Sequence, residues 1–270
     1  MTDHFLAEIV REVIADVDRE EYLGEIPTPV FEARPSLRSA IDRERAKGAL
    51  LVEFKRVSPG RADPILTPRT AEAFVKATDV PGLAGYSCLA TRPRFQGSPA
   101  DVAELSHRTE HPILFKDFVI DTRQLDAAVQ CGASAVLLIA RLEADGLSPK
   151  PLAELGREAH ERGLEVLLEF HDVSELARAD RVEADIFGVN ARNLDSLTID
   201  RPTAERTLEE AWNRGLKPLL GLSGIEKPAD ARRFLDAGAD GVLVGSAVAQ
   251  AADPAAFLRS LRDRPEGATR

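Results

Sequence analysis

The chain has 270 residues, of which 44% are hydrophobic, and carries a formal net charge of -10. This hydrophobic content is enough for a large core, and the acidic balance argues against binding to nucleic acid. Cys88 and Cys131 provide neither a disulfide framework nor metal-ligand spacing, which fits a reducing compartment. No leader pattern opens the chain, and no apolar run reaches the ~20 residues of a membrane span. We therefore expect a cytoplasmic protein without membrane contact.

The first 48 residues are predicted to form a helical extension. Residues 2–21 place apolar side chains at helical spacing on one face, with charged side chains opposite. Ser36 is the expected N-cap of a second helix that runs to Lys47, and Gly48 is its expected stop. Both helices precede the first predicted strand.

From residue 50 onward a unit of strand, loop, helix and turn recurs. The predicted strands are 50–54, 83–89, 112–116, 135–139, 165–169, 186–190, 218–222 and 241–245. The clearest helical patterns between them are 121–130, 151–162, 204–214 and 228–237. Eight strands alternating with helices predict an α/β fold of the (β/α)8 TIM barrel type, as one domain over 1–270 with a frayed tail at 263–270. The rival doubly wound sheet requires a glycine-rich first loop that this sequence lacks.

Polar residues occur again and again where a predicted strand ends. They are Glu53, Lys55, Lys116, Glu169, Asn190 and Arg192. Active sites of such barrels lie at the carboxyl ends of the strands, so these side chains are expected to meet at one mouth. Two lysines and two carboxylates there indicate acid–base chemistry on a carbonyl. A neutral lysine could instead form a Schiff base, and the sequence does not separate the two.

Small residues follow the last two strands, as Ser223-Gly224 and Gly245-Ser246. Backbone amides in such turns approach anions closely, which predicts a phosphate site. Phe95, in the second loop, could stack on an aromatic substrate if it is exposed, and ordinary loop packing is the alternative. The histidines offer no metal set, and His171-Asp172 is expected to be a loop pair or a helix cap.

The sequence resembles the indole-3-glycerol phosphate synthase family of tryptophan biosynthesis. Its first-strand signature E-x-K-x-x-S-P is matched by Glu53-Phe54-Lys55-Arg56-Val57-Ser58-Pro59. Later motifs follow in order, including Lys116-Asp117-Phe118, Glu169 and Asn190-Ala191-Arg192. The resemblance covers essentially the whole chain, including the helical extension.

The resemblance implies ring closure of 1-(2-carboxyphenylamino)-1-deoxyribulose 5-phosphate with loss of carbon dioxide and water. It implies no cofactor and no metal. Catalytic roles fall to Lys116, Glu169, Lys55, Glu53 and Asn190. Substrate contacts fall to Ser58, Phe95, Arg192 and Ser223, and phosphate contacts to Gly224, Gly245 and Ser246. The expected partner is a small phosphorylated substrate, the expected state is a monomer or weak homodimer, and association with other tryptophan-pathway enzymes is compatible with the family.

One departure concerns the seventh strand, where the family usually has Glu-Ser-Gly and this chain has Leu222-Ser223-Gly224. Leu222 is expected to face into the barrel, so one carboxylate that would influence the lysines is missing. Three alternatives stay open: a Schiff-base aldolase-like barrel, a paralogue that has moved to another phosphorylated substrate, and a degraded barrel that binds a phosphorylated metabolite.

Overall fold

Eight parallel strands form a closed barrel in the computed structural model, which describes residues 5–19, 22, 34–57 and 70–262. Each strand pairs with its neighbours in the chain, and β8 pairs with β1 to close the ring. The strands are β1 Ala49–Phe54, β2 Leu83–Leu89, β3 Ile113–Lys116, β4 Ala135–Ile139, β5 Glu165–Phe170, β6 Ile186–Asn190, β7 Leu219–Leu222 and β8 Gly241–Val244. The predicted TIM barrel is confirmed, with each strand boundary within a residue of expectation.

Helices surround the barrel and explain why its strands are apolar on both faces. They are α1 Phe5–Val17, α2 Leu37–Glu44, α3 Ala71–Thr78, α4 Pro99–Ser106, α5 Thr122–Gln130, α6 Ala140–Ala144, α7 Leu152–Glu161, α8 Arg201–Asn213, α9 Pro228–Asp236, α10 Ser246–Gln250 and α11 Pro254–Ser260, with 3₁₀ helices at Arg45–Lys47 and Val173–Asp180. Every residue of β1, β2 and β4 is buried. Parallel strands buried on both sides have to be continuous apolar runs, which is the pattern that located them.

The second helix of the extension covers the amino end of the barrel. Ser36 caps α2 as predicted, because its hydroxyl accepts a hydrogen bond from Ser39 N. Glu165, at the start of β5, accepts a further bond from Leu37 N at 2.7 Å. The 3₁₀ turn after α2 ends at Gly48, whose φ of 85° is the left-handed stop expected of glycine.

The first helix of the extension lies at the opposite end, beside the carboxyl-terminal loops. Arg94, after β2, pairs with Glu12 of α1, and Arg123 of α5 donates to Val17 O. The Phe5 and Phe95 rings meet edge to face with centroids 6.5 Å apart. Helix α1 therefore packs against the rim on which the polar strand ends converge. The assignment of 1–270 to one domain stays a prediction, and the predicted tail at 263–270 lies outside the described residues.

Candidate active site

The polar strand ends line one pocket at the carboxyl end of the barrel, as predicted. The pocket has a volume of about 980 Å³, open solvent included. Its walls contain Glu53, Lys55, Lys116, Glu169, Asn190 and Arg192 together with Phe95, Leu222, Ser223, Gly224, Gly245 and Ser246. The predicted contact Ser58 lies outside the described residues. All the other predicted site residues meet in this pocket.

Glu53 and Lys55 form a buried ion pair at the end of β1. Lys55 Nζ lies 2.6 Å from Glu53 Oε2, and the two side chains are only 11% and 6% exposed. Burial by itself raises the pKa of Glu53, but the positive charges of Lys55, Lys116 and Arg192 outweigh it, so the pKa falls below its ordinary value. Glu53 is therefore an anion that balances the cations of the pocket.

Gly245 lies directly against this ion pair. A Cβ atom at this position would be 2.6 Å from Glu53 Oε2 and 2.9 Å from Lys55 Nζ. Only a residue without a side chain lets the end of β8 approach the pair this closely. The small residue after β8 therefore has a steric role that the sequence did not show.

Lys116 ends β3, where it is paired in register with Leu89 of β2. The next residue, Asp117, is buried and also lines the pocket. Its carboxylate accepts hydrogen bonds from Thr91 Oγ1 at 2.6 Å, Tyr22 Oη at 3.0 Å and Gln124 Nε2 at 3.0 Å. Burial raises the pKa of Asp117, and these donors act against the rise. This network fixes the backbone that carries Lys116.

Glu169, Asn190 and Arg192 form a connected group on β5 and the end of β6. Asn190 Nδ2 donates to Glu169 Oε1 at 3.0 Å, and Asn190 Oδ1 accepts from Arg192 N at 3.0 Å. Arg192 Nη1 donates to Leu197 O at 2.7 Å, so the guanidinium is held by its own loop. Glu169 is 1% exposed, and its Oε2 has no hydrogen-bond partner among the described residues. A buried, unpaired carboxylate oxygen in a pocket is suited to accept a proton.

The small-residue turns after β7 and β8 also border the pocket. Ser223 and Gly224 have φ values of 63° and 71°, and a Cβ at 224 would be 2.8 Å from Ile199 Cγ2. Helix α10 begins at Ser246 immediately after β8, whereas α9 begins only at Pro228. The turns are therefore placed as predicted, and a helix follows at once only after β8.

Two apolar residues of the site were singled out in the sequence. Of the two environments left open for Phe95, packing is the one observed: it is 6% exposed and packs between Phe5 and Phe118. Phe95 still lines the pocket, so a substrate can contact only the part of the side chain that faces the pocket. Leu222 faces the barrel interior as expected and packs over the Cα of Gly188, where a Cβ would lie 2.8 Å from Leu222 Cδ1.

The sequence interpretation missed the surroundings of Glu169. Asp172 is a helix cap as expected, since its carboxylate accepts from Ser174 N. His171 was given no part in the site, yet its Nε2 lies 3.5 Å from Glu169 Oε1. The available signal was the spacing of two between Glu169 and His171 at a strand end, which places both side chains on one side.

The family model for indole-3-glycerol phosphate synthase matches residues 6–261. The chain belongs to the indole-3-glycerol phosphate synthase family. It is 36% identical over 213 residues to the indole-3-glycerol phosphate synthase of Exiguobacterium sibiricum, covering 79% of this chain and 80% of that one. It is 34% identical to that of a Nocardioides species, covering 93% and 94%, and 33% identical to that of Sulfurisphaera tokodaii, covering 90% and 92%.

Membership in the indole-3-glycerol phosphate synthase family places the chain among the carboxy-lyases of tryptophan biosynthesis. A more distant likeness is to thiamine phosphate pyrophosphorylase from Pyrococcus furiosus, with a TM-score of 0.55 and 18% identity over 81% of this chain and 95% of that one. At that identity the likeness shows the barrel fold alone.

Neither a metal site nor a membrane helix is found among the described residues. They contain no group of three His, Cys, Asp or Glu side chains arranged to hold a metal ion. None of the helices in these ranges has the length and apolar character that a bilayer crossing needs.

Proposed function

We propose that this chain closes the indole ring of 1-(2-carboxyphenylamino)-1-deoxyribulose 5-phosphate, with loss of carbon dioxide and water, by lysine and glutamate acid–base catalysis. The observation that carries the proposal is the placement of two lysines and two carboxylates around one pocket. Glu53 pairs with Lys55 there, while Glu169 keeps one oxygen unpaired. Family membership suggests the substrate and the division of roles, and the geometry of the pocket supports them.

In the ring-closing step, Lys116 donates a proton to the substrate carbonyl as the aromatic carbon attacks it. An ammonium group in a largely enclosed pocket stabilises the oxygen's developing negative charge far more than water would. Lys55 holds the carboxylate of the substrate that later departs as carbon dioxide. Its partner Glu53 offsets the cost of keeping this cation buried before the substrate arrives.

In the dehydration step, the hydroxyl formed by ring closure leaves as water, and Lys55 assists as an acid. Glu169 takes the proton that the substrate loses in exchange. Its Oε1 is already engaged by Asn190 Nδ2, so Oε2 is the oxygen available for this transfer. Acid–base assistance of this kind is worth about 10²–10⁴-fold in rate.

The remaining groups hold the substrate. Arg192, fixed by Leu197 O, and Ser223 contact its polar atoms, and Phe95 borders its aryl ring. The backbone amides of Gly224, Gly245 and Ser246 take the phosphate. Folding a flexible sugar phosphate chain onto an aryl carbon depends largely on such positioning. The expected location in the cytoplasm, the monomer or weak homodimer, and association with other pathway enzymes stay predictions.

The Schiff-base alternative is less well supported by the geometry. A lysine ammonium 2.6 Å from a buried carboxylate is a poor amine nucleophile, because the ion pair stabilises its protonated form. Borohydride added during turnover would trap a substrate-linked lysine if the alternative were correct. We expect no such adduct on Lys55 or Lys116 by mass spectrometry.

The test of the proposed function is a fluorescence assay for the indole product. The purified chain is mixed with 1-(2-carboxyphenylamino)-1-deoxyribulose 5-phosphate, and indole emission is followed over time. We expect emission to rise with wild-type protein and not with Lys116→Ala. A folded wild-type chain that yields no indole emission would overturn the proposal and favour a paralogue with another substrate.

A further inference from the structure

The imidazole of His171 lies between two buried carboxylates, those of Glu169 and Glu175. His171 Nε2 is 3.5 Å from Glu169 Oε1, and His171 Nδ1 is 3.5 Å from Glu175 Oε2. The side chains of Glu169 and Glu175 are 1% exposed, and that of His171 is 10% exposed. Both contacts are at ion-pair distance, and neither ring nitrogen makes a hydrogen bond within the described ranges. An imidazole this buried, with both nitrogens directed at carboxylates, has a defined orientation.

The local backbone explains how the histidine reaches this position. Glu169 is near the end of β5, and His171 follows at the start of the loop. Asp172 then caps the 3₁₀ helix Val173–Asp180, in which Glu175 accepts a hydrogen bond from His171 N at 2.8 Å. Glu175 therefore fixes both the backbone and the ring of His171.

Beyond Glu175 the chain of contacts reaches the protein surface. Glu175 Oε1 is 3.6 Å from Arg141 Nη1 on α6. Arg141 also pairs with Asp145 at 2.7 Å and lies 3.8 Å from Asp172. The charged or titratable groups that face His171 are thus Glu169, Glu175, Asp172 and, through Glu175, Arg141. This arrangement gives the second carboxylate its own cation, so Glu175 is free to orient the imidazole rather than to neutralise it.

We propose that His171 is a positioning residue that aims Glu169 Oε2 at the substrate. Both fixed contacts of Glu169, from Asn190 Nδ2 and from His171 Nε2, are made to Oε1. Oε2 has no hydrogen-bond partner among the described residues, and Glu169 lines the pocket. The role of His171 rests on the proposed function, in which Glu169 is the base. Catalytic groups are commonly activated in this way: a second residue holds the reacting group, and a third residue orients the second.

The first test compares His171→Leu, which removes the polar contact, with His171→Gln, whose amide can still donate to Glu169. We expect His171→Leu to lower kcat by about tenfold to about a hundredfold, the range expected when a reacting group is misplaced. KM should change by less than about twofold, because substrate contacts are retained. The pH profile of kcat should also change, because the group beside the proposed base is altered. His171→Gln should recover only part of the loss.

His160→Gln is the matched control, because His160 also pairs with a carboxylate, Asp185, at 2.8 Å, but does so on α7 away from the pocket. It should leave kcat and the pH profile unchanged. If His171→Leu does not fold, His171→Gln and Glu175→Gln are compared with their double variant. Both substitutions disturb the same orientation of the imidazole. The kcat loss of the double variant should therefore be smaller than the product of the two single losses.

Three outcomes would decide against the inference. An active wild type with unchanged kcat and pH profile in His171→Leu would overturn the inference and leave the proposed function standing. Losses in His171→Gln and Glu175→Gln that multiply in the double variant would also overturn it. A wild-type chain without turnover would overturn the proposed function and this inference together.

Discussion

Gly245 lies so close to Glu53 that a methyl group on its Cα would be 2.6 Å from Glu53 Oε2. The atoms it would strike are the ends of the Glu53–Lys55 ion pair rather than backbone. Side-chain ends can move at small cost, whereas the geometry of a catalytic pair cannot change without effect. The residue therefore matters more to the chemistry than to the fold.

Gly245→Ala should consequently separate activity from stability. We expect turnover to fall about tenfold or more, because small misplacements of reacting groups are costly. The free energy of unfolding should change by less than about 2 kcal/mol, the usual range for overpacking that side chains can relieve. Gly156→Ala on α7, where a Cβ would meet Val182 at 3.3 Å, is the control and should keep full turnover. Equal turnover in the two variants would contradict the prediction.

The ion pair also predicts a pH dependence of stability. The pKa of Glu53 in the folded chain is lower than its ordinary value of 4.5, so the folded state favours the ionised form. The stability that this ionisation contributes is present above pH 4.5 and is lost as the pH falls through the lowered folded-state pKa. Glu53→Gln removes the contribution and leaves Lys55 buried without its partner. We expect the free energy of unfolding, measured with urea at neutral pH, to be about 3 kcal/mol lower than that of wild type.

The difference in unfolding free energy between wild type and Glu53→Gln should shrink as the pH is lowered below about 4.5. Glu154→Gln, which breaks an exposed pair with Lys150, is the comparison and should show no such convergence. A difference that stays constant from neutral to acidic pH would mean that Glu53 is not ionised in the folded chain.

Lys116→Ala tests the acid of the ring-closing step. Removing the ammonium should reduce turnover by about 10²–10⁴-fold while the chain remains folded. Lys150→Ala, which removes an exposed lysine paired with Glu154, should not affect turnover. Circular dichroism checks the fold and the indole assay the rate. Near-normal turnover in Lys116→Ala would remove Lys116 as the acid.

The convergence of the polar strand ends could be predicted from the sequence, because a closed barrel brings the carboxyl ends of its strands to one rim. Alternating strand and helix patterns located β1 to β8, and the carboxyl ends of parallel strands in a closed barrel converge. Lys116 and Glu169 therefore had to be neighbours of one pocket once their strands were assigned. The hydrophobic periodicity and the order of strands and helices suffice for this prediction, and both can be read from a single sequence.

Other features depend on loop conformation and packing, which periodicity does not encode. The sequence left open whether Phe95 is exposed or packed in its loop, and Phe5 of α1 covers it. The hydrogen bonds from Tyr22 to Asp117 and from His171 N to Glu175 each depend on where a loop turns. Nothing in the spacing of these residues fixes those turns.

Arg192→Ala tests binding rather than chemistry. The guanidinium is held by Leu197 O at 2.7 Å and lines the pocket, so its loss should remove a contact to the substrate. We expect KM to rise about tenfold with kcat within about threefold, the pattern of lost uniform binding. Arg192→Lys keeps the positive charge but loses the forked set of guanidinium donors. Its KM should therefore lie between those of wild type and Arg192→Ala. An unchanged KM in Arg192→Ala would count against a binding role.

Leu222→Glu introduces, at the last residue of β7, the carboxylate that the family resemblance led us to expect there. Leu222 is 1% exposed and is paired in register with Asn190 on one side and Leu243 on the other. A carboxylate there would add a second anion near the lysines and favour their protonated, acid forms. We expect kcat to rise by up to about tenfold. The free energy of unfolding should fall by about 2 kcal/mol, because a charge replaces a packed apolar side chain.

Leu222→Gln separates charge from shape in this comparison, since it adds a polar group of the same size without the negative charge. It should lose similar stability and gain no rate, and any gain in Leu222→Glu should disappear at acidic pH as the new carboxylate is protonated. Equal rates for wild type and Leu222→Glu across the pH range would show that this pocket functions without the second anion. Glu53, already ionised beside Lys55, would then be a sufficient negative charge for the pocket.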